Sequence, residues 1–326
     1  MSQDASGAPI PGIFYTLING EWQAAGRPSL AGPIFADDFV LGSTRPDGTN
    51  TGPRVPEISL SNYAGDLTNV ADGDVIDRLL ITGKVRPSGS PTATLRDCLI
   101  IGDTDPTPTA SGYYNIGDAT GTSGGLVTYE FCEIRAENPS YRNNGWKGGN
   151  IKLVRCKGTN LTDFLSPHGS SGSGIRKTFQ AWGCYAQDFY TDTEPAANQS
   201  DLITHNDFCQ AQGLLSLLEI IGCANGEVGR PRTSWLLLQT NQGTYGTVRI
   251  NSNWMYGATG SGSTVNIPTA TSAASFEHFE FTGNRVSNTG QSPRVLMAST
   301  VRTTFASTIS GNTFLETGAA LTINNA

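Results

Sequence analysis

From about residue 75 onward the chain repeats one short pattern: apolar residues alternate with polar ones, a small or polar residue follows, and then comes Cys or Asn. The instances end at Cys98, Cys132, Cys156, Cys184 and Cys223, as in Lys152-Leu153-Val154-Arg155-Cys156 and Glu219-Ile220-Ile221-Gly222-Cys223. They continue at Asn253, Asn284 and Asn312, as in Glu280-Phe281-Thr282-Gly283-Asn284. Period-2 alternation in Thr, Val, Ile and Phe predicts strands, and it excludes helical repeats, which need longer segments of period 3.6. Successive column positions lie 24 residues (132 to 156) to 39 residues (184 to 223) apart. That range suits one turn of a parallel β-helix, whose surface turns accept insertions while its strands stay stacked. A β-sandwich has no reason to repeat one position in order, so the expectation is an all-β solenoid of about eight or more coils.

Coils of such a solenoid stack about 4.8 Å apart, so equivalent residues form ladders. Five Cys should therefore lie in line with three Asn as a structural column, Asn tying its amide to neighbouring backbone and Cys filling the same space with an apolar thiol. The sixth cysteine, Cys209, is outside the column. Without CxxC pairs, and with three His in all, the cysteines read as buried thiols and no metal or cofactor is expected.

Three segments align without gaps: 163–169, 207–213 and 234–240. Alternation turns Leu165, Cys209 and Leu236 inward, with Pro167, Ala211 and Leu238. The intervening set is then expected to face out: Phe164, Phe208 and Trp235, Ser166 and Gln210, and His168, Gln212 and Gln239. Aromatic rings beside amides on a lightly charged surface suit a sugar chain, so these positions are candidates for glycan binding. Cover by loops, by the insertion at 190–200 or the Gly-rich 170–174, or by a neighbouring subunit, is the open alternative.

Asp163 and Asp207 head equivalent strands one coil apart, with Asp188, His205 and Asp201 from the adjoining turns. Two carboxylates so placed fall near the roughly 5 to 9.5 Å separation of glycoside hydrolysis, with crowding raising one pKa. The competing reading is that both Asp accept backbone N–H bonds at turns.

Composition narrows the partners. The chain has 326 residues, 15% of them charged, and a formal charge of −7, with no basic run, so neither nucleic acid nor anionic membrane is expected. No apolar stretch reaches the roughly 20 residues of a membrane span, and residues 1–7 lack the features of a secretory signal, so a soluble chain made in the cytoplasm is expected. Residues 1–55, rich in Gly, Pro and Ala, read as an attachment arm and residues 56–326 as the β-helix domain, with Leu321-Thr322-Ile323 as a cap on its open end.

The repeat, Leu161-Thr162-Asp163-Phe164 and, most specifically, His205-Asn206-Asp207-Phe208-Cys209-Gln210-Ala211-Gln212-Gly213 resemble pectin-lyase-like right-handed parallel β-helix proteins, particularly β-helix minor tail proteins of phages of actinobacteria. The likeness covers roughly residues 75–326. It implies a right-handed single-stranded helix in a virion, a tail component or tail spike that adsorbs to host cell-surface polysaccharide, docks on other tail proteins through its N-terminal arm, and can be a homotrimer. A polysaccharide hydrolase or lyase is the alternative. Of the polygalacturonase motifs only Thr162-Asp163 and Asn206-Asp207 match loosely, whereas the Gly-His-Gly and Arg-x-Lys elements are missing. A purely architectural tail component is the third reading.

Overall fold

The computed structural model describes residues 14–18, 21–25, 39–89, 91–102, 114–119, 124–138, 143–169, 174–191, 205–260, 262–267, 276–289, 294–298 and 306–325. Parts of the expected arm, of the insertions at 170–174 and 190–200, and Asp201 lie outside the described residues.

The described chain is all-β, with three sheets of eleven, ten and eight strands visited in fixed rotation. One coil consists of Ile151–Val154 in the first sheet, Lys157–Thr159 in the second and Leu165–Pro167 in the third; the next consists of Lys177–Trp182, Tyr185–Gln187 and Asp207–Ala211. Each strand pairs in parallel with its counterpart one coil away, as expected for a β-solenoid. The ten strands of the second sheet, at about 4.8 Å each, give a stack about 43 Å long between its outer strands.

One backbone device recurs at the corner between the first and second sheets. Arg78, Asp97, Phe131, Arg155, Gly183, Gly222, Ser252, Gly283 and Gly311 all have φ between 51° and 65°. This left-handed residue turns the chain sharply enough for the next side chain to point into the interior. From Asp97 onward, that next residue is the Cys/Asn column, which is buried throughout.

Along the column the Asn part is fully bonded. Asn284 Nδ2 donates to Ile250 O (2.8 Å), while its Oδ1 accepts the backbone N–H (3.1 Å) and Nδ2 (3.0 Å) of Asn253. Asn312 serves Asn284 in the same way. The thiols do more than fill space. Cys132 Sγ donates to Leu95 O (3.5 Å), Cys156 Sγ to Tyr129 O (3.3 Å) and Cys223 Sγ to Ala181 O (3.3 Å), the same carbonyl, three residues before the preceding column member, that each Asn amide takes. All six cysteines are buried free thiols, and burial pushes the thiols of Cys98, Cys132, Cys156 and Cys223 up. Cys is thus a weaker version of the Asn device. Asn284→Ala should cost about 1–3 kcal/mol for each backbone group left unpaired, and Asn284→Cys should cost less; equal losses for both in urea unfolding would refute the equivalence.

The interior is one continuous core. Its most ordered part is a line of rings: Tyr129–Trp146 (5.7 Å), Trp146–Phe164 (5.4 Å), Phe164–Phe208 (5.1 Å) and Phe208–Trp235, stacked at 4.3 Å and 7°. At one end of the stack Phe14–Ile18 and Glu21–Ala25 form an antiparallel pair, and Tyr15 pairs with Ile76 to continue the first sheet. At the other end Leu321 and Ile323 pack on the core.

The described part of the expected arm is not separate from the solenoid. Residues 39–57 form a strap laid lengthwise over the corners. Phe39 lies on the Arg155 guanidinium (4.2 Å), Leu41 and Gly42 cover Gly222, and a turn closed by Ser43 N–H to Val40 O (2.9 Å) sends the chain back. On the return Arg45 bonds Tyr256 Oη (3.1 Å), Asn50 O receives Arg155 Nη2 (2.7 Å), and Arg54 forks onto Asp97 (2.9 and 2.6 Å) while stacking on Phe131 (4.1 Å). The corner residues match this path. Asp97, Phe131 and Arg155 tolerate positive φ and grip the strap, whereas a Cβ on Gly222 would lie 2.7 Å from Gly42 N.

Candidate functional site

The three aligned segments do fall on consecutive coils of the third sheet: Leu165 pairs with Cys209 and Cys209 with Leu236. The orientation expected for their aromatics is overturned. Phe164, Phe208 and Trp235 are all 0% exposed and belong to the core. The reason is a bulge that breaks the period of 2: the N–H groups of Trp235 and Leu236 both bond Thr264 O (2.8 and 3.0 Å), so two consecutive side chains turn inward. These three rings therefore present no surface to a sugar.

Beyond the bulge alternation resumes on the next two coils, whereas Ser166, expected to face out, is buried with its hydroxyl on Asp163. Gln210 and Gln239 are partly exposed and their amides meet at 3.4 Å. Gln212 and His168 are partly exposed as well, each fixed by its backbone N–H, to Pro167 O (3.0 Å) and Gly148 O (3.0 Å). His168 Nδ1 lies 2.6 Å from Gly169 O and donates to it, and burial lowers the pKa of this imidazole. What survives of the expected glycan face is thus its amide and imidazole row.

The two carboxylates are brought together but buried. Asp163 and Asp207 are 6% and 2% exposed. Asp163 Oδ1 accepts the Asp207 N–H (3.0 Å), Ser166 Oγ donates to Asp163 Oδ2 (3.4 Å), and Ser234 Oγ donates to Asp207 Oδ1. Each carboxylate therefore acts as a coil-to-coil tie, the turn-bonding role open to both from the start. Burial pushes Asp163 up to about 7, and burial together with the Asp163 charge raises Asp207 well above the carboxylate range. His205 is exposed, and its charge bears on Asp163. Asp188 is exposed at a positive-φ corner, where its carboxylate takes the Gln187 amide (2.8 Å).

Because both carboxylates titrate higher folded than unfolded, the folded chain holds protons that the unfolded chain has already released. Stability is then greatest below the ordinary carboxylate value of 3.8 for this pair and declines as pH rises toward about 7, by up to about 1.4 kcal/mol per pH unit for each proton difference. Urea midpoints at pH 5 and pH 8 test this. Asp207→Asn should flatten the slope, and an unchanged slope in that variant would refute the assignment.

Sequence reasoning passed over a second polar surface, the outward face of the first sheet. Gln180 Nε2 and Arg249 Nη1 both bond Glu219 (2.6 and 2.8 Å), Arg249 continues to Glu280 (3.3 Å), His278 closes on Glu280 (2.7 Å), and Lys152 sits over Trp182 (4.1 Å). The signal was available: Lys152, Gln180, Glu219, Arg249 and Glu280 each stand four residues before a column residue.

Among the described residues, no group of three or more His, Cys, Asp or Glu side chains is placed to hold a metal ion, and no helix is long and apolar enough to cross a membrane. Comparisons of the chain with protein-family models, with curated proteins and with solved structures found no match.

Proposed function

We propose that this chain is a rigid, non-enzymatic rod of a phage tail that recognises host cell-surface glycan through the outward row of its third sheet, His168, Gln210, Gln212 and Gln239. The observation that carries this reading is a contrast within two adjacent strands. Asp163 and Asp207, which cleavage would need at the surface, are spent on inter-coil bonds, while His168, Gln210 and Gln212 of the same two segments stay partly exposed. Parallel sheets bound coil to coil, with a strap along them, suit a part that must transmit force without deforming.

Right-handed winding belongs to the same reading, because parallel strands joined by a crossover within one sheet are right-handed in roughly 98% of cases. So do the homotrimer and the docking to other tail proteins through residues 1–55, although docking through residues 39–55 would have to compete with the strap.

The test is incubation of purified protein with envelope polysaccharides of actinobacterial hosts, recording bound protein and released sugar ends together. Wild type should bind without release, and Gln210→Ala/Gln239→Ala should weaken binding by about tenfold, the worth of one or two hydrogen bonds. Release of sugar ends that vanishes in Asp207→Asn would make the protein a depolymerase instead.

A further inference from the structure

The outward row of the third sheet does not stop at Gln210. Gln210 pairs in register with Leu237, Leu237 with Asn266, Asn266 with Leu296 and Leu296 with Asn324, so one column runs amide, leucine, amide, leucine, amide over consecutive coils. All of these residues are partly exposed. Leu237, Asn266 and Leu296 each stand between two buried strand neighbours, which turns them outward. With coils about 4.8 Å apart, the two leucines are about 10 Å apart and the column is about 19 Å long. No member of it ionises. Part of its polar capacity is unused: Gln210 Nε2 spends one of its two hydrogens on Gln239 Oε1 (3.4 Å), and Asn266 Oδ1, covered between the leucine positions, has no partner among the described residues. A covered acceptor of this kind costs free energy until a donor reaches it.

We infer that the glycan bound by this chain is an uncharged, extended, N-acetylated polysaccharide laid along the rod axis, its acetamido methyls on Leu237 and Leu296 and its acetamido amides bonded to Gln210, Asn266 and Asn324. An acetamido group sets a methyl beside an amide, and the column sets each leucine beside a carboxamide one coil away on either side. Leucine offers a sugar hydroxyl nothing, whereas it gains from covering a methyl. In an extended β-1,4-linked chain each ring is turned over relative to the last, so groups on one edge recur on every second ring, as the leucines recur on every second coil. One ring advances such a chain by about the stacking distance of one coil, which keeps the two repeats in step. The inference rests on the saccharide-binding reading above and adds the class and direction of the ligand.

Titration calorimetry on the full chain tests it with three probes: the dimer and the pentamer of β-1,4-linked N-acetylglucosamine, and unacetylated cellopentaose. The acetylated pentamer should bind about tenfold more tightly than either other probe and keep its affinity as salt is raised, since no charge is paired. It should lose about tenfold in Leu237→Ser/Leu296→Ser, a variant on the partly exposed side whose fold is checked by its melting temperature. A pentamer that binds no better than the dimer or cellopentaose, or that is indifferent to the double change, would overturn the inference. So would a dimer of this chain in sedimentation that the same change dissociates, which would put a second copy on the column. In each of these cases, binding of envelope polysaccharide that Gln210→Ala/Gln239→Ala weakens would leave the glycan reading standing, and no such binding would overturn both.

Discussion

Replacing Trp235 by Ala lowers the unfolding free energy by about 3–5 kcal/mol, the cost of removing a large ring from a closed core. Trp235 is 0% exposed, stacks on Phe208 at 4.3 Å and ends a line of rings that runs back to Tyr129. Its indole Nε1 is a buried donor for which no partner is seen among the described residues, so Trp235→Phe, which keeps a ring and removes that donor, should cost far less. Chemical denaturation of the two variants separates packing from recognition. A Trp235→Ala protein of wild-type stability that had lost glycan binding would return the ring to the surface.

Arg54→Met should be comparably damaging, by about 3–5 kcal/mol, because it strands a buried charge. Asp97 is 1% exposed and receives Arg54 through three bonds: the backbone N–H (2.9 Å), Nε (2.9 Å) and Nη2 (2.6 Å). Removing both partners, in Arg54→Met/Asp97→Leu, should cost less than the single change, since no charge is left unpaired. The local readout is protease nicking within residues 39–56, which should accelerate in Arg54→Met as the strap lifts. Unaltered nicking together with unaltered stability would show that the pair holds nothing down.

The repeat was legible in the sequence because it obeys a strict local rule. The residue at the corner must adopt positive φ, the next must be small and able to bond a carbonyl, and the strands must alternate, so Gly222-Cys223 and Gly283-Asn284 announce themselves. The faces of the third sheet were misread at a single point. Alternation correctly sent Leu165, Cys209 and Leu236 inward, but a bulge adds one residue without leaving a mark in composition, and Phe164, Phe208 and Trp235 followed the core. For Asp163 and Asp207, spacing brought the carboxylates onto neighbouring coils but could not distinguish a surface pair from a buried tie, because that depends on what Ser166, Ser234 and the Asp207 N–H offer in three dimensions. The strap was invisible for a different reason: it is aperiodic, and its partners lie as far as 211 residues away.

That separation orders events during synthesis. Each coil can settle on the one before it as soon as it emerges from the ribosome, since stacking asks only for a neighbour. The strap leaves the ribosome first, yet Tyr256, where Arg45 lands, is translated 211 residues later. Closing so long a loop adds little entropy beyond that of a much shorter one, so the delay is set by translation and not by chain search. A nascent chain halted before Tyr256 could already hold the strap at its Phe131 and Arg155 corners, while Arg45 would still lack the tyrosine it bonds. The last contact of the strap is thus one that only a chain translated past Tyr256 can make.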